Sequence, residues 1–189
     1  MAQFIKSVEV VKGGYVKIAP TDTQFDSTLL ASFCDNAERE YVRNTIGNTF
    51  FEYLKTQRTT GIINYNADLG AIVPAFTNPD LESLFLDGKL FDLIGNAVVK
   101  TALPFIHFKI TSSGVQITQA SFAQAGTGND MRYLGDSMAK TLTFLIQEVQ
   151  DYLCDNAAIY TPYGFDDKIY CKHCKTTNKI KQANLPIIY

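Results

Sequence analysis

Residues 90–102, LFDLIGNAVVKTA, decide how this chain is read. Leu90, Phe91, Ile94, Val98 and Ala102 recur at helical spacing, with Lys89, Asp92, Asn96 and Lys100 set opposite, so the run predicts a buried amphipathic helix. Pro104 breaks it. An alternating piece follows, Phe105 to Thr111 (FIHFKIT), then a turn at Ser112-Ser113-Gly114 and a return over Val115 to Thr118, which together predict a hairpin over 105–118. A small, polar connection over 119–129 leads to a second long helix, 130–156. Its stripe is Met131, Leu134, Met138, Leu142, Leu145, Ile146, Val149, Tyr152 and Leu153. Two helices frame the core, and the hairpin between them has little of its own to bury.

Upstream, Asp26-Ser27 offers an N-cap for a helix to Ile46, with Leu29, Leu30, Phe33, Cys34, Ala37, Tyr41, Val42 and Ile46 on one side and Gly47 as its stop. A short helix over 49–57 follows. Residues 58–78 mix Gly61, Gly70 and Pro74 with short apolar runs and read as an irregular loop carrying small strand or helix pieces. Asn78-Pro79-Asp80 is a strong helix start, and Asp87-Gly88 divides that helix from the run at 90. At the N-terminus, Val8, Val10, Val16 and Ile18 alternate with polar residues around Gly13-Gly14, which predicts a β-hairpin over 4–18.

The 189 residues suffice for one domain with a real core. No apolar run approaches the ~20 residues of a membrane-spanning helix. The opening MAQFIKSVEVVKGG lacks a basic region followed by an apolar one, so no secretory signal is expected. The net charge of −2 carries no global nucleic-acid signature. It is unevenly spread: from Lys168 to Tyr189 there are five lysines and no acid, which leaves 12 basic against 19 acidic groups in the rest. An acidic body with a basic C-terminal arm invites a partner for the arm, and a solvated tail is the plain alternative. The arm carries aromatic and apolar anchors, Tyr160, Tyr163, Phe165 and the tip Leu185 to Tyr189, so it is read as an extended arm that docks on something.

The four cysteines fall at 34, 154, 171 and 174. Cys34 and Cys154 sit in helical patterns and read as core, in a reducing setting. Cys171 and Cys174 have the spacing with which two thiolates share a tetrahedral zinc, but no second pair completes the site, and two free thiols is the competing reading. His107, on an alternating strand, reads as a surface or interface residue. Gly126 to Asp130 lacks the Lys-Ser/Thr ending of a phosphate-binding loop and is better explained as a helix cap. The carboxylates Glu38, Glu40, Asp92, Asp136, Glu148 and Asp151 fall on expected solvated faces. With no convergent polar set, the chain does not read as an enzyme.

The order of these elements carries a resemblance. The stretches are FCDNAEREYVRNTIGNTFFEYL (33–54), PDLESLFLDGKLFDLIGNAVVKTALPFI (79–106), FKITSSGVQIT (108–118) and MRYLGDSMAKTLTFLIQEVQDYLCDN (131–156). Over about residues 20–165 they resemble the head-to-tail connector, or adaptor ring, proteins of tailed bacteriophages, most of all those of crAss-like and other Bacteroidales phages. The family has no catalytic motif to carry over, and the Cys171/Cys174 pair is not part of its pattern.

The resemblance implies a structural virion protein of the phage neck, present in the host cytoplasm during assembly. It would form a cyclic ring, expected to be dodecameric, between the portal protein and an adjacent neck or tail ring protein. DNA would pass through its channel without sequence-specific binding, and no membrane would be involved. The expected fold is mainly α, a helical bundle with peripheral β-hairpins and extended N- and C-terminal arms. Its divisions are a hairpin arm over 1–20, a helical core over 21–157 with the inserted hairpin, and a basic arm over 158–189. The interface set is Phe105, His107, Lys109, Ser112, Gly114, Tyr160, Tyr163, Phe165, Lys168, Lys172 and Tyr189. The alternative function is a cytosolic interaction module with a zinc-binding arm held by Cys171 and Cys174.

Overall fold

The computed structural model describes residues 4–12, 27–66, 71–76, 78–111, 114–117 and 128–171. The protein is mainly α. Its axis is helix α6, Leu90–His107. Residues 90–99 of this helix are all buried, so the core helix expected from its sequence keeps no polar outer face over that stretch. Asp92 and Asn96, expected on a solvated face, are inside, and Asn96 Nδ2 donates to the Asp92 carbonyl at 2.7 Å. The reason is that α6 is covered on several sides. Helix α2 (Ala31–Ala37) and the turn after it lie on one flank, and α7 (Gly128–Asp155) on another. A helix in that position must be apolar nearly all round. The helix also runs through Pro104 to His107, so Phe105 is helical rather than extended. Pro104 has no N–H to give the Lys100 carbonyl, so the helix runs on past one missing backbone bond.

The segment from Ser27 to Ile46 is continuous but changes pitch. It begins as a 3-10 turn (Ser27–Leu30), becomes α2, widens to a π-helical turn (Glu38–Val42) and closes with α3 (Arg43–Ile46). Gly47, at φ +88°, stops it, a conformation only glycine adopts without strain. Helix α4 (Asn48–Gln57) then buries Phe50, Phe51 and Leu54. Strands β1 (Arg58–Asn66) and β2 (Ala71–Phe76) pair antiparallel in a stretch whose sequence reads as an irregular loop carrying small strand or helix pieces. Pro74 is tolerated because a two-stranded ribbon has only edges.

Helix α5 (Pro79–Leu86) begins as its sequence predicts, with Asn78 Oδ1 accepting from the Asp80 N–H at 2.9 Å. The division from α6 also falls where expected, yet Gly88 and Lys89 play different parts. A Cβ at Gly88 would lie 2.5 Å from the Leu84 carbonyl and 2.8 Å from the Tyr152 ring, so glycine is needed there for space. Lys89 takes the left-handed conformation, φ 61°. Beyond α6, β3 (Phe108–Thr111) pairs antiparallel with β4 (Gly114–Ile117).

Two sequence expectations fail at the ends. Ser7–Lys12 is a helix, α1, where a hairpin over 4–18 was expected; residues 13–18 lie outside the described residues. The Glu9 carboxylate accepts from the Lys6 N–H at 2.6 Å, half of a capping box, and starts the helix. Phe4, Ile5, Val10 and Val11 are then buried together. A lone two-stranded ribbon would have had little to hold it.

At the other end the core does not stop at 157. Helix α8 (Ala157–Tyr160), a 3-10 turn (Thr161–Tyr163) and α9 (Asp167–Tyr170) fold back onto the bundle. Tyr160 and Phe165 are 1% and 2% exposed, so they anchor this chain to itself and are not free to dock in trans.

Two substitutions at the α5–α6 elbow separate space from conformation. Gly88→Ala lowers stability by about 1–3 kcal/mol through overpacking. Lys89→Gly raises it by roughly 0.5–1 kcal/mol, because relief of the left-handed strain exceeds the added chain entropy. Urea unfolding of the two variants checks both signs.

Candidate functional site

Among the described residues the chemistry-bearing side chains do not converge on one centre. Among the described residues no three of His, Cys, Asp and Glu are grouped as a metal site would need. Three local arrangements stand out instead: a buried carboxylate, an aromatic clasp with a disulfide, and a groove.

The carboxylate is Glu38, expected on a solvated face but wholly buried at the start of the π-helical turn. Its Oε1 accepts from the Phe4 and Ile5 backbone N–H groups at 2.6 and 2.9 Å. The N-terminal segment is thereby pinned across the helix, with the Phe4 ring edge-on to Phe51 and Phe85. Lys55 spans the edge of this region, 4.8 Å from the Phe51 ring centroid and 3.5 Å from Asp35 Oδ1. Glu38 Oε2 is buried and meets no hydrogen-bonding partner among the described residues.

Burial pushes the Glu38 carboxyl up from 4.5 to about 7; the Ile5 and Phe4 N–H groups and Lys55 oppose that rise. A π-turn with a shifted carboxylate is a common mark of a functional site. Here the geometry argues otherwise, since the group is closed to solvent and faces backbone N–H donors. It works as a latch for the chain's first residues. Beside it, burial together with Glu38 and Glu9 pushes the Cys34 thiol up to about 12, which leaves it an inert core group.

The clasp is built by 157–171. Tyr53 and Tyr163 stack at 5.1 Å, Phe50 meets Tyr160 and Phe165 at 5.9 and 6.0 Å, and Phe165 stacks on Tyr170 at 5.8 Å. Tyr160 donates to the Asp80 carbonyl at 3.0 Å, and Asn78 donates to the Tyr163 hydroxyl at 3.3 Å. Burial raises the Tyr160 phenol well above its ordinary value, so it stays a neutral donor. Gly164, at φ +99°, turns the chain against Thr49. The clasp ends in a disulfide between Cys154 of α7 and Cys171, with a Cα–Cα separation of 5.4 Å. Cys154 and Cys171, read from sequence as a core thiol and an arm thiol, are thus partners. A zinc ion held by Cys171 and Cys174 would require that bond to be reduced. Nothing in the sequence marked the pairing, because Cys154 and Cys171 lie in unrelated patterns.

The groove lies between the α5–α6 elbow and the outer face of α7. It measures about 510 Å³, and its walls are more apolar than polar. Asp87, Glu148, Asp151 and Asp155 rim it, with Lys89 at the elbow and Phe144, 62% exposed, along one side.

The other expected interface residues are scattered. Phe105 is 60% exposed beside Phe33, at a ring separation of 5.3 Å. His107 ends α6, Lys109 lies in β3 and Gly114 opens β4. Lys168 is exposed on α9. Ser112, Lys172, Cys174 and Tyr189 lie outside the described residues. Among the described residues no helix is long and apolar enough to cross a membrane.

Residues 79–174, just over half of the chain, match the model of DUF6712, a family of unknown function. The match runs from the Asn78-capped start of α5 through the clasp. No curated protein and no solved structure matches the chain.

The latch titrates in a defined direction. Folded Glu38 holds its proton to higher pH than unfolded Glu38, so its contribution to stability is full below about 4.5 and is lost as the pH rises through about 7. Glu38→Gln retains an acceptor oxygen and cannot ionise. Between about pH 5 and pH 8 the wild type should lose roughly 2–3 kcal/mol relative to this variant, read from paired denaturant curves. Replacing Cys154 and Cys171 together by serine should cost about 2–4 kcal/mol under oxidising conditions and nothing further under reduction, read by thermal unfolding with and without a reductant.

Proposed function

Since the chain belongs to the DUF6712 family, which brings no activity with it, we propose its function from its surface: a structural, non-catalytic subunit of a phage head-to-tail connector ring. In this reading copies close into a cyclic ring, dodecameric in number, between the portal protein and the next neck or tail protein. The protein belongs to the virion, after passing through the host cytoplasm during assembly, and DNA crosses the ring without sequence-specific contact.

The observation that carries this reading is Phe105. A phenylalanine left 60% exposed at the end of the most buried helix is poorly used by the chain itself. It sits at the root of the β3–β4 ribbon, whose outer strand edges have no strand partner among the described residues and suit pairing with a neighbour. Leu29, Tyr133, Ile159 and Ile169 are further large apolar side chains left exposed. A subunit that buries such residues only in a heterologous, ring-closing contact explains why they are tolerated. The peripheral ribbons and the arm beyond Cys171 belong to the same proposal, as parts that reach neighbouring copies or the portal.

The test is incorporation into assembled particles. The wild-type chain should purify with the portal protein. Phe105→Asp, its folding checked by circular dichroism, should lower incorporation by roughly thirtyfold, as loss of a buried aromatic anchor does. Absence of the wild-type chain from portal-containing particles defeats the ring reading. Unchanged incorporation of the variant defeats the role given to Phe105.

A further inference from the structure

We propose that the groove between the α5–α6 elbow and α7 receives the chain's own lysine-rich C-terminal segment, residues 172–189, held in cis on the isolated subunit. The groove and that segment match in two respects. Among the described residues the groove's rim bears Asp87, Glu148, Asp151 and Asp155 against the cation of Lys89. The segment bears Lys172, Lys175, Lys179 and Lys181 and no acidic side chain. The groove's walls are mostly carbon, with Phe144 open to solvent along them. The segment ends in Leu185, Pro186, Ile187, Ile188 and Tyr189, an apolar run that follows its lysines. Paired charges at a rim select and orient a ligand, while apolar groups along the floor supply most of the affinity.

The exit point of the segment decides in favour of cis. Cys171 is joined to Cys154, which adjoins Asp155 in α7 and lies three residues from Asp151. The segment therefore leaves the body within a turn of helix of the groove's acidic end. An extended chain gains about 3.3 Å per residue, and a helix about 1.5 Å. The segment is therefore long enough to run along the last three turns of α7, from Asp155 back to Phe144. Tethering at such a short span gives an effective concentration on the order of millimolar, which a second copy in dilute solution does not match. This inference concerns the isolated chain and stands or falls separately from the ring.

A photoreactive benzophenone amino acid placed at Ile187 of the full-length chain tests it. Equal amounts of 15N-labelled and unlabelled protein are mixed, irradiated, and mapped by mass spectrometry. Crosslinks should join position 187 to residues 144–155 or 87–89, each within one isotopic species. Their yield should fall roughly tenfold in the double variant Glu148→Lys, Asp155→Lys, whose sites lie on the outer face of α7. High salt should lower the yield in the unmodified background too, a readout that needs no variant to fold. Crosslinks to other parts of the body, no crosslinks at all, or a yield indifferent to both charge reversal and salt would overturn the proposal. Pairs of mixed isotopic composition would overturn it as well and assign the groove to the segment of a second copy.

Discussion

The burial of α6 on several sides is the constraint from which the rest of the structure follows. Residues 90–99 have no solvent face, so helices must be found for every flank. The segment Ala31–Ala37 and the π-helical turn supply one side, α7 another, and α5 closes the N-terminal end. A helix in this position also needs its polar groups answered internally. Asn96 does so by donating to the Asp92 carbonyl one turn back. The groups at the start of α6 are handled by the elbow, where Lys89 accepts a left-handed conformation so that the chain can turn while its carbonyl accepts from Leu93.

Both ends of the body are then sewn onto this assembly by polar contacts made to backbone. Glu38 holds the N-terminal segment by two N–H groups, and Tyr160 reaches the Asp80 carbonyl at the start of α5. Each contact ties the aromatic packing beside it to one geometry: Phe4 against Phe51 and Phe85 at one end, Phe50 against Tyr160 and Phe165 at the other. Aromatic burial supplies the bulk of the free energy in both places, and the hydrogen bonds fix the register. The two seams meet on α4, whose Phe50 and Phe51 face the clasp and the N-terminal segment respectively.

Much of this was legible in the sequence wherever a local rule suffices. Asn78-Pro79-Asp80 named the start of α5, Gly47 the end of α3, and the stripe from Leu134 to Leu153 the inner face of α7. What was not legible depends on what lies opposite. Glu38 and Asp92 fall on the polar side of a helical wheel, and only the arrival of other segments on that side buries them. Val8 and Val10 fit an alternating strand, but Glu9 capping Lys6 makes them part of a helix. Tyr160 and Phe165 were recognisable as anchors, yet nothing in a run of aromatics distinguishes docking at home from docking on a neighbour. The Cys171/Cys174 spacing drew attention to a local pair, while the partner of Cys171 is Cys154, 17 residues away.

That bond also determines how the body carries mechanical load. Tension applied to the chain beyond Cys171 does not pass through the clasp. It crosses the Cys154–Cys171 bond directly into α7, the longest helix, whose buried stripe Met138, Leu142, Leu145, Val149 and Leu153 spreads it over the core. The loop between the two cysteines, which holds Tyr160, Tyr163 and Phe165, is bypassed, so these non-covalent contacts bear no part of the pull. A segment can therefore be drawn on hard from outside while the aromatic packing beside its root stays slack.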